Sequence, residues 1–202
     1  MGRRKGRGKM GRIILATGGA RCGKSRFAEE YAKACGGAVA YIATAQVKDA
    51  EMAFRVGMHQ KRRPAEWDTY EAPFDAHKAV REAGKTHAVI LFDCVTLYLS
   101  NLLCSMDEKD LEVQEAIYQL AGQATKDLIE AARSVDGTVI FVTNEVGGGI
   151  VPEHRLARVY RDMAGLANQR LAAAAAEVYL VVAGIAVDLR KLGEEVRRAG
   201  TQ

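Results

Sequence analysis

The stretch Gly18-Gly19-Ala20-Arg21-Cys22-Gly23-Lys24-Ser25 carries the clearest chemistry in this sequence. Gly-x-x-x-x-Gly-Lys-Ser is the spacing of a phosphate-binding loop. Its glycines let the backbone curl with several N–H groups aimed inward at an anion. Lys24 has the reach for the β- and γ-phosphates of a nucleotide, and the Ser25 hydroxyl is a hard oxygen ligand for Mg²⁺. The bare pattern also arises by chance, so its flanks decide. The apolar run Ile13-Ile14-Leu15-Ala16 reads as a strand, and residues 24–32 read as a helix. Strand, glycine-rich loop and helix in that order are what such a loop needs.

Two further groups suit phosphate chemistry. A helix is expected over residues 49–62, ended by Pro64. Its Arg55, His59 and Arg62 fall at i, i+4 and i+7, on one face. A neutral imidazole there would attack an α-phosphorus, release pyrophosphate and hold the nucleotide covalently. The alternative is an ordinary surface histidine. His77 and His154 lie in polar helical settings and His87 opens a strand, so these three read as structural or exposed. Asp93 closes the apolar run Ala88-Val89-Ile90-Leu91-Phe92. Beside a phosphate loop, such an acid reads as a Walker B carboxylate for Mg²⁺.

The elements that position these groups alternate. Further strands are expected at 38–43, 67–71, 138–142 and 178–182, with an edge strand at 185–189. Helices are expected at 73–83, 110–133 and 152–175. Buried parallel strands read as short continuous apolar runs, as these do. Thr143-Asn144-Glu145 and the glycines at 147–149 follow one strand and read as a loop at the ligand edge of an open parallel sheet; a flexible connector is the alternative. Leu156, Val159, Tyr160, Met163, Ala167 and Leu171 should pack on the sheet, with Arg155, Arg158 and Arg161 on a solvated face. This is one α/β domain over residues 12–190, after a basic leader at 1–11 and before a polar, fraying tail at 191–202.

Composition narrows the class. At 49% hydrophobic and 27% charged residues, the chain is ordinary globular material. No apolar run has the length of a membrane span, and no secretory signal pattern is present, so a cytoplasmic protein is expected. Cys22, Cys35, Cys94 and Cys104 form no C-x-x-C pair, so neither a zinc site nor a disulfide framework is indicated. The net charge is +4, but residues 1–12 hold six positive charges and no acid, so the remainder carries −2. The basicity is a Gly/Arg/Lys extension.

Longer motifs carry a resemblance. Gly18 to Arg26, Tyr41-Ile42-Ala43-Thr44-Ala45-Gln46, Asp49-x-Glu51-Met52 with Arg55, and His59-x-x-x-Arg63-Pro64-x-x-Trp67 resemble the bifunctional adenosylcobinamide kinase / adenosylcobinamide-phosphate guanylyltransferase family of cobalamin synthesis. The second half agrees through Val142-Thr143-Asn144-Glu145-Val146-Gly147-x-Gly149-Ile150-Val151-Pro152-Glu153, Arg155-Leu156-Ala157-Arg158, Asn168-Gln169-Arg170-Leu171-Ala172 and Val182-x-Gly184. The resemblance runs in order over about residues 12 to 187. It implies a RecA-like P-loop fold, a homotrimer, and two reactions. A nucleoside triphosphate, GTP or ATP, phosphorylates adenosylcobinamide on its aminopropanol hydroxyl. GTP then gives GMP to adenosylcobinamide phosphate. The family's guanylylated histidine falls on His59. Its nucleotide contacts fall on Gly18, Gly19, Ala20, Arg21, Cys22, Gly23, Lys24, Ser25, Ala43, Thr44, Ala45, Gln60, Lys61, Arg62, Arg63, Glu71 and Asp93. Glu71 would accept the N1–H and 2-amino hydrogens of guanine, a pattern adenine lacks. Cys22 stands where serine is common in the family, and Asp93 where a glutamate occurs.

Two other readings compete. A guanylyltransferase without kinase activity would use the same loop. A nucleic-acid-stimulated ATPase would use residues 1–12 as an electrostatic arm. Against the latter, the body is acidic, aromatics are only 6%, and His59 gains no role; nucleic acid is not an expected partner.

Overall fold

The computed structural model describes residues 10–199. Seven strands form one sheet: β1 (Arg12–Thr17), β2 (Val39–Ala43), β3 (Asp68–Glu71), β4 (Val89–Asp93), β5 (Thr138–Val142), β6 (Glu177–Val182) and β7 (Ile185–Asp188). Their spatial order is β3-β2-β4-β5-β1-β6-β7. All pairings are parallel except β6 with β7, which is antiparallel. The α/β class and the mostly parallel sheet expected from the sequence are therefore present.

The helices are α1 (Lys24–Cys35), α2 (Ala50–Arg62), α3 (Ala76–Ala83), α4 (Val95–Cys104), the single turn α5 (Glu108–Leu111), α6 (Gln114–Ser134), α7 (Arg155–Ala174) and α8 (Leu189–Ala199). Alternate residues of the central strands face opposite cores. Ile13, Leu15, Ile90, Phe92, Val139 and Phe141 pack with residues of α3, α4, α6 and α7. Ile14, Ala16, Leu91, Ile140 and Val142 pack with Ala28 and Ala32 of α1. One face thus carries four helices. The other is covered chiefly by α1.

Three expectations change. The helix expected over 110–133 begins at Gln114, because α4 and α5 occupy separate stretches before it. The tail from Lys191 is helical as far as Ala199, and Leu189 packs against the main core. Leu156 is exposed rather than packed on the sheet, whereas Val159, Met163, Ala167 and Leu171 are buried as expected. The basic leader at 1–9 and the side chain of Arg55 lie outside the described residues. Among those described, no helix is long and apolar enough to cross a membrane.

Candidate active site

The phosphate loop leaves the C-terminal end of β1. Gly18 has φ +154°, and a Cβ there would meet the Val181 carbonyl oxygen at 2.4 Å. Gly23 has φ +99°, and its Cβ would meet Gly184 Cα at 3.1 Å. Both positions demand glycine, for backbone torsion and for space together. The loop is clamped from the β6–β7 turn, where the Gly184 N–H donates to the Cys22 carbonyl at 2.8 Å. Gly184 itself has φ +82°, a torsion that favours glycine there. Helix α1 begins directly after Gly23 with no side-chain cap and no acid in its first turn. Its first N–H groups and positive dipole end are therefore unspent, which is the condition for holding an anion. Lys24 is only 8% exposed, and its ammonium reaches back across the loop to the Gly19 carbonyl at 3.1 Å.

One row of the sheet ties the other expected residues together. Glu71 pairs with Ala43, Ala43 with Asp93, Asp93 with Val142, and Val142 with Ala16. All lie at the C-terminal edge. With strands about 4.8 Å apart, Glu71 stands roughly 10 Å from Asp93. Strand β5 lies between β1, which carries the loop, and β4, which carries Asp93. Asp93 accepts a hydrogen bond from the Tyr41 hydroxyl at 3.1 Å. Burial, then the Asp93 charge, raises the Tyr41 pKa well above its ordinary value, so the hydroxyl stays a donor. Cys94, behind Asp93, is pushed up to about 11 by burial and by Asp93.

The segment 43–45 is pinned from behind. Thr44 is buried, and its hydroxyl both accepts from the Cys94 N–H and donates to the Cys94 carbonyl, each at 2.8 Å. Asn101 donates to the Thr44 carbonyl at 2.8 Å. The Thr44 side chain thus positions this segment, while Ala43 and Ala45 remain half-buried beside it.

His59 reaches the loop indirectly. Asp49 caps α2 by accepting the Met52 N–H at 2.7 Å. In its last turn, Arg62 lies 3.2 Å from His59 Nδ1 and 3.0 Å from Glu29 Oε1 of α1. A guanidinium has only donors, so Nδ1 is the lone-pair nitrogen here and a neutral imidazole carries its proton on Nε2. Arg63 stacks its guanidinium 3.8 Å over the Tyr41 ring and donates to Thr69 at 3.1 Å. Helix α2 is thereby attached to α1 through Arg62 and to the Asp93 strand region through Arg63. Gln60, Lys61 and Glu71 are exposed at this edge. Of the other histidines, His87 is buried with Nε2 2.9 Å from Asp68, a structural setting.

Glu29 and Tyr41 escaped sequence reading. The signal for Glu29 is its place on the buried stripe of α1, beside Lys24, Ala28 and Ala32. Of the α7 arginines, Arg155 and Arg158 are exposed as expected and Arg161 is half-buried, but their backbone partners could not be read from the sequence. Arg155 donates to the Leu111 and Glu112 carbonyls, Arg158 to those of Pro152 and Glu153, and Arg161 to those of Gly147 and Ile150. From that face they brace the neighbouring loops.

The model of the family described as cobinamide kinase / cobinamide phosphate guanyltransferase matches residues 14–189. The chain belongs to this family. Among curated relatives it is similar to the bifunctional adenosylcobalamin biosynthesis protein CobU of Escherichia coli (strain K12), 45% identical over 88% of this chain and 99% of that protein. CobU of Salmonella typhimurium is also 45% identical, over the same shares. The bifunctional adenosylcobalamin biosynthesis protein CobP of Pseudomonas aeruginosa is 40% identical, over 87% of this chain and 96% of that protein.

Proposed function

We propose that this chain phosphorylates adenosylcobinamide with a nucleoside triphosphate. It then transfers GMP from GTP, through a guanylyl-histidine at His59, to give adenosylcobinamide-GDP and pyrophosphate. The observation that carries this reading is the Arg62 bridge, which joins His59 to the helix that begins at the phosphate loop.

In the kinase step, the loop amides and Lys24 surround the transferred phosphoryl group and offset its charge, so positioning and electrostatics supply the rate. In the transfer step, a lone pair of the His59 imidazole attacks the α-phosphorus of GTP and pyrophosphate leaves. Because Nδ1 is engaged by Arg62, attack through that nitrogen requires the arginine to turn toward the phosphates. There its charge is useful. The carboxylate of Glu71 accepts the guanine N1–H and amino hydrogens and selects GTP for this step.

Ser25 and Asp93 supply a hydroxyl and a carboxylate, both hard oxygens. Among the described residues no group of three or more His, Cys, Asp or Glu could hold a metal alone. That donor set fits Mg²⁺, which keeps waters and phosphate oxygens in its shell. Held by Ser25 and Asp93, the ion would offset the negative charge of the phosphates. The family resemblance adds a homotrimer, testable by light scattering. The cytoplasm as location is supported by four free cysteines.

The test is incubation with Mg²⁺ and α-³²P-GTP, beside γ-³²P-GTP and α-³²P-ATP, followed by a denaturing gel. Acid-labile, base-stable label is expected from α-GTP only, and it disappears in His59→Ala. No label in protein shown to bind GTP would remove His59 from the mechanism.

A further inference from the structure

The loop between β5 and α7 has no role in the reactions as derived so far. It leaves the sheet between the strand carrying the phosphate loop and the strand carrying Asp93. The Glu145 N–H donates to the Gly18 carbonyl at 3.0 Å, so Glu145 is fixed against the first glycine of the phosphate loop. The two polar side chains before it are committed. Thr143 donates to Asn168 at 2.7 Å, and Asn144 donates to Thr96 at 2.8 Å. Glu145 is exposed. One of its carboxylate oxygens accepts the Gly147 N–H at 2.9 Å, and the other has no hydrogen-bond partner among the described residues.

A carboxylate at that place is wrong for gripping phosphate, which it repels. It is right for a hydroxyl about to attack phosphate. The rest of the loop suits a second substrate too. Arg161 holds the Gly147 and Ile150 carbonyls, and Arg158 holds those of Pro152 and Glu153. So braced, the loop presents Ile150 at 96% and Val151 at 65% exposure. Two adjacent apolar side chains exposed on a braced loop beside a polar nucleotide site offer a surface that an apolar ligand face can cover. A corrinoid has one on its ring faces, and it carries the acceptor hydroxyl at the end of a side chain.

We propose that residues 145–151 form the acceptor side of the phosphoryl-transfer site, with the Glu145 carboxylate receiving the proton of the attacking hydroxyl and Ile150 and Val151 lying against the corrinoid ring. This rests on the kinase reading above. The acceptor oxygen forms a bond to the γ-phosphorus, and the bond from the γ-phosphorus to the β,γ-bridging oxygen breaks. The nucleoside diphosphate leaves with that electron pair, and the hydroxyl proton passes to Glu145.

The experiment measures three rates on wild type, Glu145→Gln and Ile150→Ser: phosphorylation of cobinamide, guanylylation of the enzyme by α-³²P-GTP, and GMP transfer to preformed cobinamide phosphate. Glutamine keeps an oxygen for the Gly147 N–H, so loop geometry survives while the proton acceptor is lost. Glu145→Gln should lower the phosphorylation kcat about 100-fold, with guanylylation within threefold of wild type. Ile150→Ser should raise the KM for cobinamide about tenfold without moving the KM for nucleotide. A Glu145→Gln phosphorylation rate within threefold of wild type overturns the proposal. So does an equal fall in phosphorylation and guanylylation, which marks a purely structural carboxylate. So does an unchanged KM for cobinamide in Ile150→Ser; if that variant instead alters oligomeric state, Ile150 faces another copy of the chain and the acceptor surface is refuted. A wild-type chain that does not phosphorylate cobinamide would overturn the kinase reading itself.

Discussion

Arg62 donates to His59 Nδ1 at 3.2 Å while its ion-pair partner, Glu29, lies buried in the flank of the phosphate-loop helix. One guanidinium therefore fixes the tautomer of the imidazole and the position of its helix. The two partners of the ion pair are unequal, because Glu29 is 6% exposed whereas the arginine side chain is 45% exposed.

That inequality predicts an asymmetry. Arg62→Ala leaves a buried carboxylate unpaired, while Glu29→Gln leaves an arginine that water can solvate. Arg62→Ala should cost about 1–2 kcal/mol, less than a fully buried pair would because the arginine is half in water. Glu29→Gln should cost less than half of that. Urea denaturation midpoints measure both, and guanylyl-enzyme yield should fall at least about tenfold in Arg62→Ala. Equal destabilisation by the two variants would refute the asymmetry.

Gly18→Ala should fail for a backbone reason. Its Cβ would sit 2.4 Å from the Val181 carbonyl, at φ +154°. Loss of about 2–3 kcal/mol of stability is expected, together with loss of nucleotide binding. Equilibrium binding of a fluorescent GTP analogue and a thermal melt read the two effects separately.

Glu177 accepts hydrogen bonds from Tyr31 at 2.8 Å and Tyr179 at 2.6 Å and pairs with Arg12. Burial, and then the Glu177 bond and charge, push Tyr31 up to about 12. The folded pKa is raised above the unfolded one near 10, so this stabilisation is complete below pH 10 and is lost as pH climbs toward 12. Tyr31→Phe should therefore flatten the loss of stability between pH 10 and 12. Denaturation midpoints at pH 9 and 11 for the two proteins provide the comparison.

The four thiols should separate by reactivity. Cys35 and Cys104 are exposed and Cys22 is half-buried, whereas Cys94 is buried with its pKa pushed up to about 11 by burial and Asp93. A colorimetric thiol reagent at pH 8 should titrate three groups in the folded protein and the fourth only in denaturant. Saturating Mg²⁺ and GTP should slow Cys22 alone, and an unslowed Cys22 would count against nucleotide seated in this loop.

Much of this protein was determined by the sequence alone, because the signals are local. The phosphate loop is a matter of glycines and a lysine at fixed spacing, and the central strands are continuous apolar runs. Asp49, His59 and Pro64 read correctly as the start, face and stop of one helix. Even α8 left a signal, since Leu189, Leu192 and Val196 recur at helical spacing among its charges. Tertiary structure alone decided the partnerships between distant residues. Glu29 meets Arg62 across 33 positions, and Tyr41 meets Asp93 across 52. The strand order sets β5, which leads into Glu145, between the strands of the phosphate loop and of Asp93. Likewise, Arg158 and Arg161 sit at ordinary surface spacing, and only the folded path of the 147–153 loop turns them into its supports. The physical reason is that periodicity and turn chemistry are encoded within a few residues, whereas strand order and side-chain pairing arise from packing the whole sheet.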